Sequence, residues 1–495
     1  MSTSAPTPAS KARVDAPDEA PVLFESSGAV RTYVLNRAKK LNALNEPMLN
    51  LLRPQIEEWS QGDLAKVIVG RGAGRAFCAG GDVESVVRYA SDPVTRPQAI
   101  DFFHREFEMD YILAAVPKPY VCVMDGITMG GGVGLAVNAQ FRIATEKTVF
   151  AMPETKIGYS PDVGASYFLS RVDGEIGTYL GLTGATITGR AVFEHGFATH
   201  YVESRLVPAL LERLAALENP THQRINALLE EARSEREPDE STTAIVGAKR
   251  EALDSAFSHN TVEKIVAALT ETSTNHRNEE VRRWATSTLD ELAQRSPTSL
   301  KVALAAIRRG KQMTLLDALQ MEMNIATAFC VSNLPFHGRT AVNMSAGHRQ
   351  SGATPDFKTG VTAVLVEKIK TRPEWSPARL EDVNDSELLK KFFSEFTPDK
   401  ETAPRLTPPP YVEGNKTIDP MQFALPSEAE IRSMVDGSHK SSGATEITLD
   451  ELLDKFKSLR KGKSGVREKI LEVVERKCAF EEDKHMNKQW LKWKH

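Results

Sequence analysis

Tyr120-Val-Cys-Val-Met-Asp-Gly-Ile-Thr-Met-Gly-Gly-Gly-Val-Gly-Leu135 is the stretch on which the fold turns. Its first five residues form an apolar run that reads as a buried strand, and the glycine-rich turn after them feeds a short helix. A unit of the same kind lies upstream. Lys66-Val-Ile-Val69 reads as a buried strand ending in the turn Gly70-Arg-Gly-Ala-Gly74, and Arg75-Ala-Phe-Cys-Ala-Gly-Gly-Asp82 follows it. In open α/β sheets, ligands bind where the C-terminal ends of strands turn toward helices. Glycine there lets the backbone approach closely and aim its N–H groups at a ligand oxygen. Two such donors from separate loops could hold a carbonyl oxygen as it gains negative charge, and losing one such donor typically costs roughly 2.7–4 kcal/mol of transition-state stabilisation. The alternative is that Gly130 to Gly134 merely let a helix pack closely on a strand. Both readings stand at this point.

Outward from these units the pattern keeps alternating. Val22-Leu-Phe24 and Thr32-Tyr-Val-Leu35 read as short strands, 46–58 as a helix, and 98–115 as a helix closed by Pro117 and Pro119. Further strands are expected near 141–144 and 149–150. Strands alternating with helices predict a layered α/β core. After about Pro208 the strands stop, and amphipathic stretches follow at 211–231, 262–269, 281–293 and 300–328. Segments 233–243 and 343–355 read as surface loops. The expected organisation is a disordered leader over 1–20, a core holding the active site over 21–208, and a mainly helical part over 209–400. Residues 401–495 are read as a Pro-rich linker, with three prolines at Pro408 to Pro410, and a basic helical tail.

Composition narrows the class. Of 495 residues, 41% are hydrophobic and 26% charged, ordinary for a soluble globular protein. A net charge of −4 argues against a nucleic-acid binder as a whole but leaves a local basic patch open. Residues 455–495 hold 13 basic and 6 acidic residues, a net +7, with Trp490 and Trp493 among lysines. Such a tail could touch RNA or a protein partner, or simply be a solvated helical extension. Cys78, Cys122, Cys330 and Cys478 lack metal-site or redox spacing and read as free thiols. Asn343-Met-Ser345 and Asn415-Lys-Thr417 match the glycosylation acceptor pattern, which matters only in a secreted chain. No run approaches the ~18 apolar residues of a membrane helix. The first twenty residues are rich in Ser, Ala, Thr and Pro, and Lys11 and Arg13 are soon followed by Asp15, Asp18 and Glu19, a weak transit peptide.

Nucleotide motifs fail on inspection. A dinucleotide fingerprint at the Gly130 cluster would need glycine where Leu135 stands, and Gly462-Lys-Ser464 lacks the phosphate-loop glycine at Lys457. More telling is Phe150-Ala-Met-Pro-Glu-Thr-Lys-Ile-Gly-Tyr-Ser-Pro-Asp-Val-Gly164, which sets Glu154 and Asp162 in a loop framed by prolines and glycines. Two carboxylates near one electrophile can divide the labour, one as base or nucleophile and the other orienting water or donating a proton. They could equally be loop or cap residues exposed to water. Glu106, on the predicted 98–115 helix, reads by itself as a solvated charge, and His104, His195 and His200 as isolated surface or core residues.

Taken together, these segments resemble the crotonase, or enoyl-CoA hydratase/isomerase, superfamily. Leu35-Asn-Arg-Ala-Lys-Lys-Leu-Asn-Ala-Leu44 is similar to its first signature, with Ala38 where proline is usual. Arg75 to Asp82 and Gly130 to Leu135 are similar to its two oxyanion loops. The resemblance implies a ββα spiral core and makes the backbone N–H groups of Gly81 and Gly131 the carbonyl donors. It runs from about Val22 to Phe393 and sharpens toward the branch that hydrolyses 3-hydroxyisobutyryl-CoA in valine degradation. Hydratases of the superfamily carry a second glutamate where Gly134 stands here. The hydrolase branch instead pairs acids matching Glu154 and Asp162, and Glu106 and Gly131 match further substrate-site positions. The implied activity is hydrolysis of a short 3-hydroxyacyl-CoA thioester in mitochondria, with no cofactor or metal and no membrane partner. A homo-oligomer and, through the basic tail, association with the mitochondrial ribosome are further partners the resemblance allows. Thr359 replaces a usual acid, and Ala165-Ser166 stand where glycines are common beside Pro161-Asp-Val-Gly164, so the acyl pocket is expected to differ from the branch pattern.

Overall fold

Continuous apolar runs, buried on both faces, build the main sheet of the computed structural model, which describes residues 20–236, 240, 244–331, 353–412, 419–443, 446–483 and 488–494. The leader to residue 19, both glycosylation acceptors and most of the expected 343–355 loop lie outside them. Ten strands precede Pro208 among the described residues: β1 (Val22–Ser27), β2 (Val30–Leu35), β3 (Val67–Gly72), β4 (Ala76–Cys78), β5 (Tyr120–Met124), β6 (Ile127–Met129), β7 (Phe141–Ala144), β8 (Val149–Ala151), β9 (Ile187–Thr188) and β10 (His200–Tyr201). They form a six-stranded sheet in the order β1-β2-β3-β5-β7-β10 and a four-stranded sheet in the order β4-β6-β8-β9. β1 and β2 are an antiparallel hairpin, and β2, β3, β5, β7 and β10 run parallel. Each of β3, β5 and β7 is followed at once by a short strand in the smaller sheet, where β4, β6 and β8 also run parallel. Helices α1 (Glu46–Gln61), α2 (Val83–Ala90), α3 (Arg96–Ala115) and α4 (Gly131–Val137) fill the intervals. That repeat is the ββα spiral expected from the sequence.

The large sheet has two apolar faces. Tyr33, Ile68, Tyr120, Cys122 and Met124 point to the layer of α1, α3 and α4. Val67, Val69, Val121, Val123 and Ile143 pack beneath the helices Val207–Ala215 and His222–Glu231. The expected stretch 211–231 is thus two helices, parted at Asn219-Pro220, where proline cannot continue the first. The stretch 300–328 likewise divides into Pro297–Gly310 and Leu315–Val331. Tyr33 and Tyr120 share a hydrogen bond of 2.6 Å between hydroxyls, and Tyr120 donates to the Leu135 carbonyl, tying the sheet to α4.

The C-terminal part departs from the expected linker and extension. The Pro-rich segment lies docked: the N–H of Leu406 donates to Gln320, the N–H of Thr407 donates to Glu108, and Val412 is buried. Beyond it, the buried Arg142 donates to the Pro420 carbonyl, and Phe423 stacks on Phe141 at 4.7 Å. Much of the tail's charge is consumed in contacts with acids. Arg250 and Arg476 both donate to Glu428, Lys469 pairs with Asp173 at 2.7 Å, and Lys463 pairs with Glu230. The helical reading of the tail applies as far as Val466–Lys477. After it the chain forms an antiparallel hairpin of β11 (Cys478–Asp483) and β12 (Lys488–Trp493). Here alternation overrides helix propensity. Leu491 is buried opposite the half-exposed Phe480, while the next residue, Lys492, is exposed and lies 3.7 Å from Glu481. No helix among the described residues is long and apolar enough to cross a membrane.

Candidate active site

The two glycine turns meet at the C-terminal edge of the strands. Gly80 has φ +108° and Gly130 φ +47°, values a side chain would oppose. Leu44 donates its N–H to the Gly80 carbonyl and accepts the N–H of Asp82, which leaves the N–H of Gly81 outside that bridge. Gly131 opens α4, so its N–H belongs to the first turn, where helical amides have no partner within the helix. The turns are close enough that a Cβ on Gly80 would stand 3.8 Å from the Gly131 nitrogen. Here the glycines do more than admit a helix: they let the two turns approach each other closely.

Carboxyls surround that place. A Cβ on Gly131 would approach Glu106 Oε1 to 2.1 Å, and one on Gly130 would approach Glu154 Oε1 to 3.0 Å. Glu154 opens a short 3-10 turn, Glu154–Ile157, closed by Gly158 at φ +71°, and Asp162 precedes two left-handed residues, Val163 (+55°) and Gly164 (+87°). A β-branched residue in that region is strained, and strain of this kind collects at functional sites. The segment is held from below by Glu322, which accepts the N–H of Gly164 (2.6 Å), the N–H of Ser166 (2.8 Å) and the Ser166 hydroxyl (2.5 Å). Ser166, one of the departures from the branch pattern, therefore has a specific partner.

Glu106, Glu154 and Asp162 are 2%, 6% and 7% exposed. Burial sets their chemistry. It pushes Glu106 up to about 8, with Glu154 adding to the effect, and Glu154 itself up to about 8, with Glu322 adding. Asp162 is raised well above the ordinary carboxyl range by burial and by Glu106, Glu154 and Glu322. No ion pair with a cation relieves these three among the described residues, and Glu106 Oε1 and Glu154 Oε2 have no hydrogen-bond partner there. Buried acids with free oxygens beside the glycine turns can bind a polar guest and exchange protons with it near neutral pH.

Two further acids belong to the cluster and were missed by sequence reasoning. Asp110 lies one turn after Glu106 on α3, fully buried with both oxygens unpartnered, and is raised well up by burial and by Glu106. Glu322 is raised to about 7 by burial despite its three donors. The signal was there: Glu106 and Asp110 share a helical stripe with Phe103 and Phe107, a face that should be apolar. A Cβ on Gly134 would meet Val163 Cβ at 2.5 Å and Asp110 Oδ2 at 2.7 Å, so no longer side chain fits there. The histidines lie outside the cluster with their own partners. His104 contacts Glu108 at 3.4 Å, His195 accepts the Ile245 N–H, and His200 stands 3.1 Å from Glu230 while burial depresses it to about 4.

A ββα spiral with two glycine turns meeting at a strand edge fits a crotonase-type protein. Residues 30–393 match the enoyl-CoA hydratase/isomerase family, and the chain belongs to it. It is 38% identical over 472 residues to the small ribosomal subunit protein mS47 of Neurospora crassa, covering 93% of this chain and 86% of that one. It is 41% identical to the mitochondrial 3-hydroxyisobutyryl-CoA hydrolase of Gallus gallus (74% of this chain, 87% of that one) and 38% to that of Homo sapiens (77% and 90%). Among solved structures it is similar to a carnitinyl-CoA dehydratase from Mycobacterium thermoresistibile, with a TM-score of 0.64 and 30% identity over 79% of this chain and 99% of that one.

Proposed function

We propose that the protein hydrolyses the thioester of 3-hydroxyisobutyryl-CoA, or of a similar short 3-hydroxyacyl-CoA, in mitochondria. The observation that carries this reading is the burial of Glu154 and Asp162 in one cluster of acids, with Glu154 against the glycine turn at Gly130. The thioester carbonyl would accept from the N–H groups of Gly81 and Gly131, which stabilise the oxygen as charge develops on it. Glu154 acts as nucleophile, displacing the CoA thiolate to leave an anhydride that water opens, or as a general base that takes a proton from attacking water. Asp162 binds the substrate hydroxyl or assists the water, and Glu106 lines the same space. A hydratase reading is disfavoured by Gly134, where Val163 and Asp110 leave no room for a second acid. The mitochondrial setting is supported by the names of the hydrolase relatives. The test is thiol release across a panel of short acyl-CoAs. Release from 3-hydroxyisobutyryl-CoA supports the reading, and silence on every hydroxyacyl-CoA, or fast hydration of crotonyl-CoA, overturns it.

A second reading, association with the mitochondrial small ribosomal subunit, is favoured by one observation. The similarity to mS47 leaves only 7% of the chain outside, less than the stretch 401–495, so it extends into the tail. Because the tail packs on the core, deleting it would confound folding. Reversing the exposed charges of Lys457, Lys461 and Arg467 is the cleaner probe. Co-sedimentation with mitochondrial ribosomes that the triple reversal abolishes supports the second role, and no co-sedimentation of the unaltered chain removes it.

A further inference from the structure

Between the two proposed acids in sequence stands a residue to which the hydrolase reading gives no role. Tyr159 is 2% exposed, and its ring is clamped by three others. It stacks on Phe357 at 4.7 Å and on Phe103 at 5.5 Å, and Phe329 meets it edge-on at 5.0 Å. These rings come from three separate helices, Asp356–Val361, α3 and Leu315–Val331, so the phenol is held from three directions. Its backbone N–H donates to the Glu154 carbonyl at 3.0 Å. Gly158 at φ +71° before it and Pro161 after it leave the segment little freedom. Its hydroxyl lies beside the Asp162 carboxyl, yet completes no close hydrogen bond with any described residue. A buried phenol normally finds a partner, and an orphan one requires an explanation.

We propose that Tyr159 is a positioning residue for the acid pair: its N–H fixes the Glu154 turn, and its hydroxyl becomes the donor to Asp162 when that carboxyl ionises. This deepens the hydrolase reading and rests on it for the role of Asp162. The groups facing the pair are all acidic: Glu106 and Asp110 from α3, Glu154 from the same segment, and Glu322 with the Cys330 thiol from Leu315–Val331. With no cation among them, a hydroxyl donor is what the described residues offer an Asp162 carboxylate. Hydrogen bonds to a charged acceptor are the strong ones, and losing one raises the pKa of the acceptor acid.

Tyr159→Phe removes one oxygen and keeps the stacked ring, so the fold is retained. The acid limb of the kcat profile for thiol release moves to higher pH by about one unit, and kcat at pH 7 falls about tenfold. The thermal midpoint at pH 5 stays within error of the unaltered protein. A variant profile that superimposes on the parent overturns the proposal. Should the unaltered protein release no thiol, the hydrolase reading fails separately. The proposal is then decided by carboxyl 13C NMR of the aspartates, with Asp162 assigned from the signal missing in Asp162→Asn. An upward shift of that titration in Tyr159→Phe supports it, and an unmoved titration overturns it.

Discussion

Glu154 and Asp162 share a loop and an environment, and the environment governs how they react. A carboxyl held near 8 is mostly protonated at neutral pH, so a role as nucleophile or base requires the minority ionised form. If Glu154 must be charged along with Asp162, kcat/KM for thiol release rises by at least about tenfold per pH unit below pH 7. A flat profile from pH 5 to 9 would place the reacting charge elsewhere. Neither acid was legible as a candidate from spacing alone. The resemblance singled them out, and burial distinguishes them from the loop and cap residues they could have been. Glu106 was still less legible, because a single acid on a helix ordinarily faces water. It is buried because its neighbours on the same face, Phe103 and Phe107, carry α3 into the core.

At the scale of elements, the site is held by what lies under it. Glu322 reaches up from Leu315–Val331 to bind the start of the helix after Asp162, and Ser166 supplies two of its three donors. Ser166→Ala keeps the N–H and removes the hydroxyl. It should lower stability by about 1–2 kcal/mol, read from the urea midpoint, because a buried acid loses one donor. An unchanged midpoint would mean the hydroxyl bond adds nothing net. Strands β3 and β5, helix α3 and the glycine turns were all legible, since short apolar runs, period 3.6 and glycine spacing are local signals. The short strands β4, β6, β9 and β10 were not, because two or three residues carry no period. The last hairpin was hidden by lysines and glutamates that read equally well on a helix. Their pairing across β11 and β12 depends on contacts far apart in sequence.

The whole molecule joins a family core, matched over 30–393, to a C-terminal part that is docked rather than trailing. Thr402 to Pro410 read as a linker because prolines cannot form regular structure, yet the same stiffness lets the segment lie along α3 with Leu406 buried. The tail's net +7 was visible in composition, whereas its neutralisation by Glu230, Asp173 and Glu428 was not, since those acids are up to 300 residues away in sequence. The acid cluster also makes a prediction for the molecule as a whole. Glu106, Glu154 and Glu322 have folded values of about 8, 8 and 7, above the ordinary 4.5. Between about pH 4.5 and 8 the unfolded chain ionises these groups while the folded one retains their protons, so stability is full below that window and falls as pH rises. The thermal midpoint of the free protein should therefore decline from pH 5 to pH 8, and Glu154→Gln should flatten part of that decline. A midpoint that rises over the same range would contradict the shared burial of these acids.

The most direct measurement is thiol release from 3-hydroxyisobutyryl-CoA by the full chain and by Glu154→Gln, side by side at pH 8. Turnover by the unaltered protein and a loss of at least about a thousandfold in the variant, which keeps the shape but not the charge, is the expected result. Equal release by both proteins would remove Glu154 from the chemistry and contradict a hydrolase built on this pair of acids.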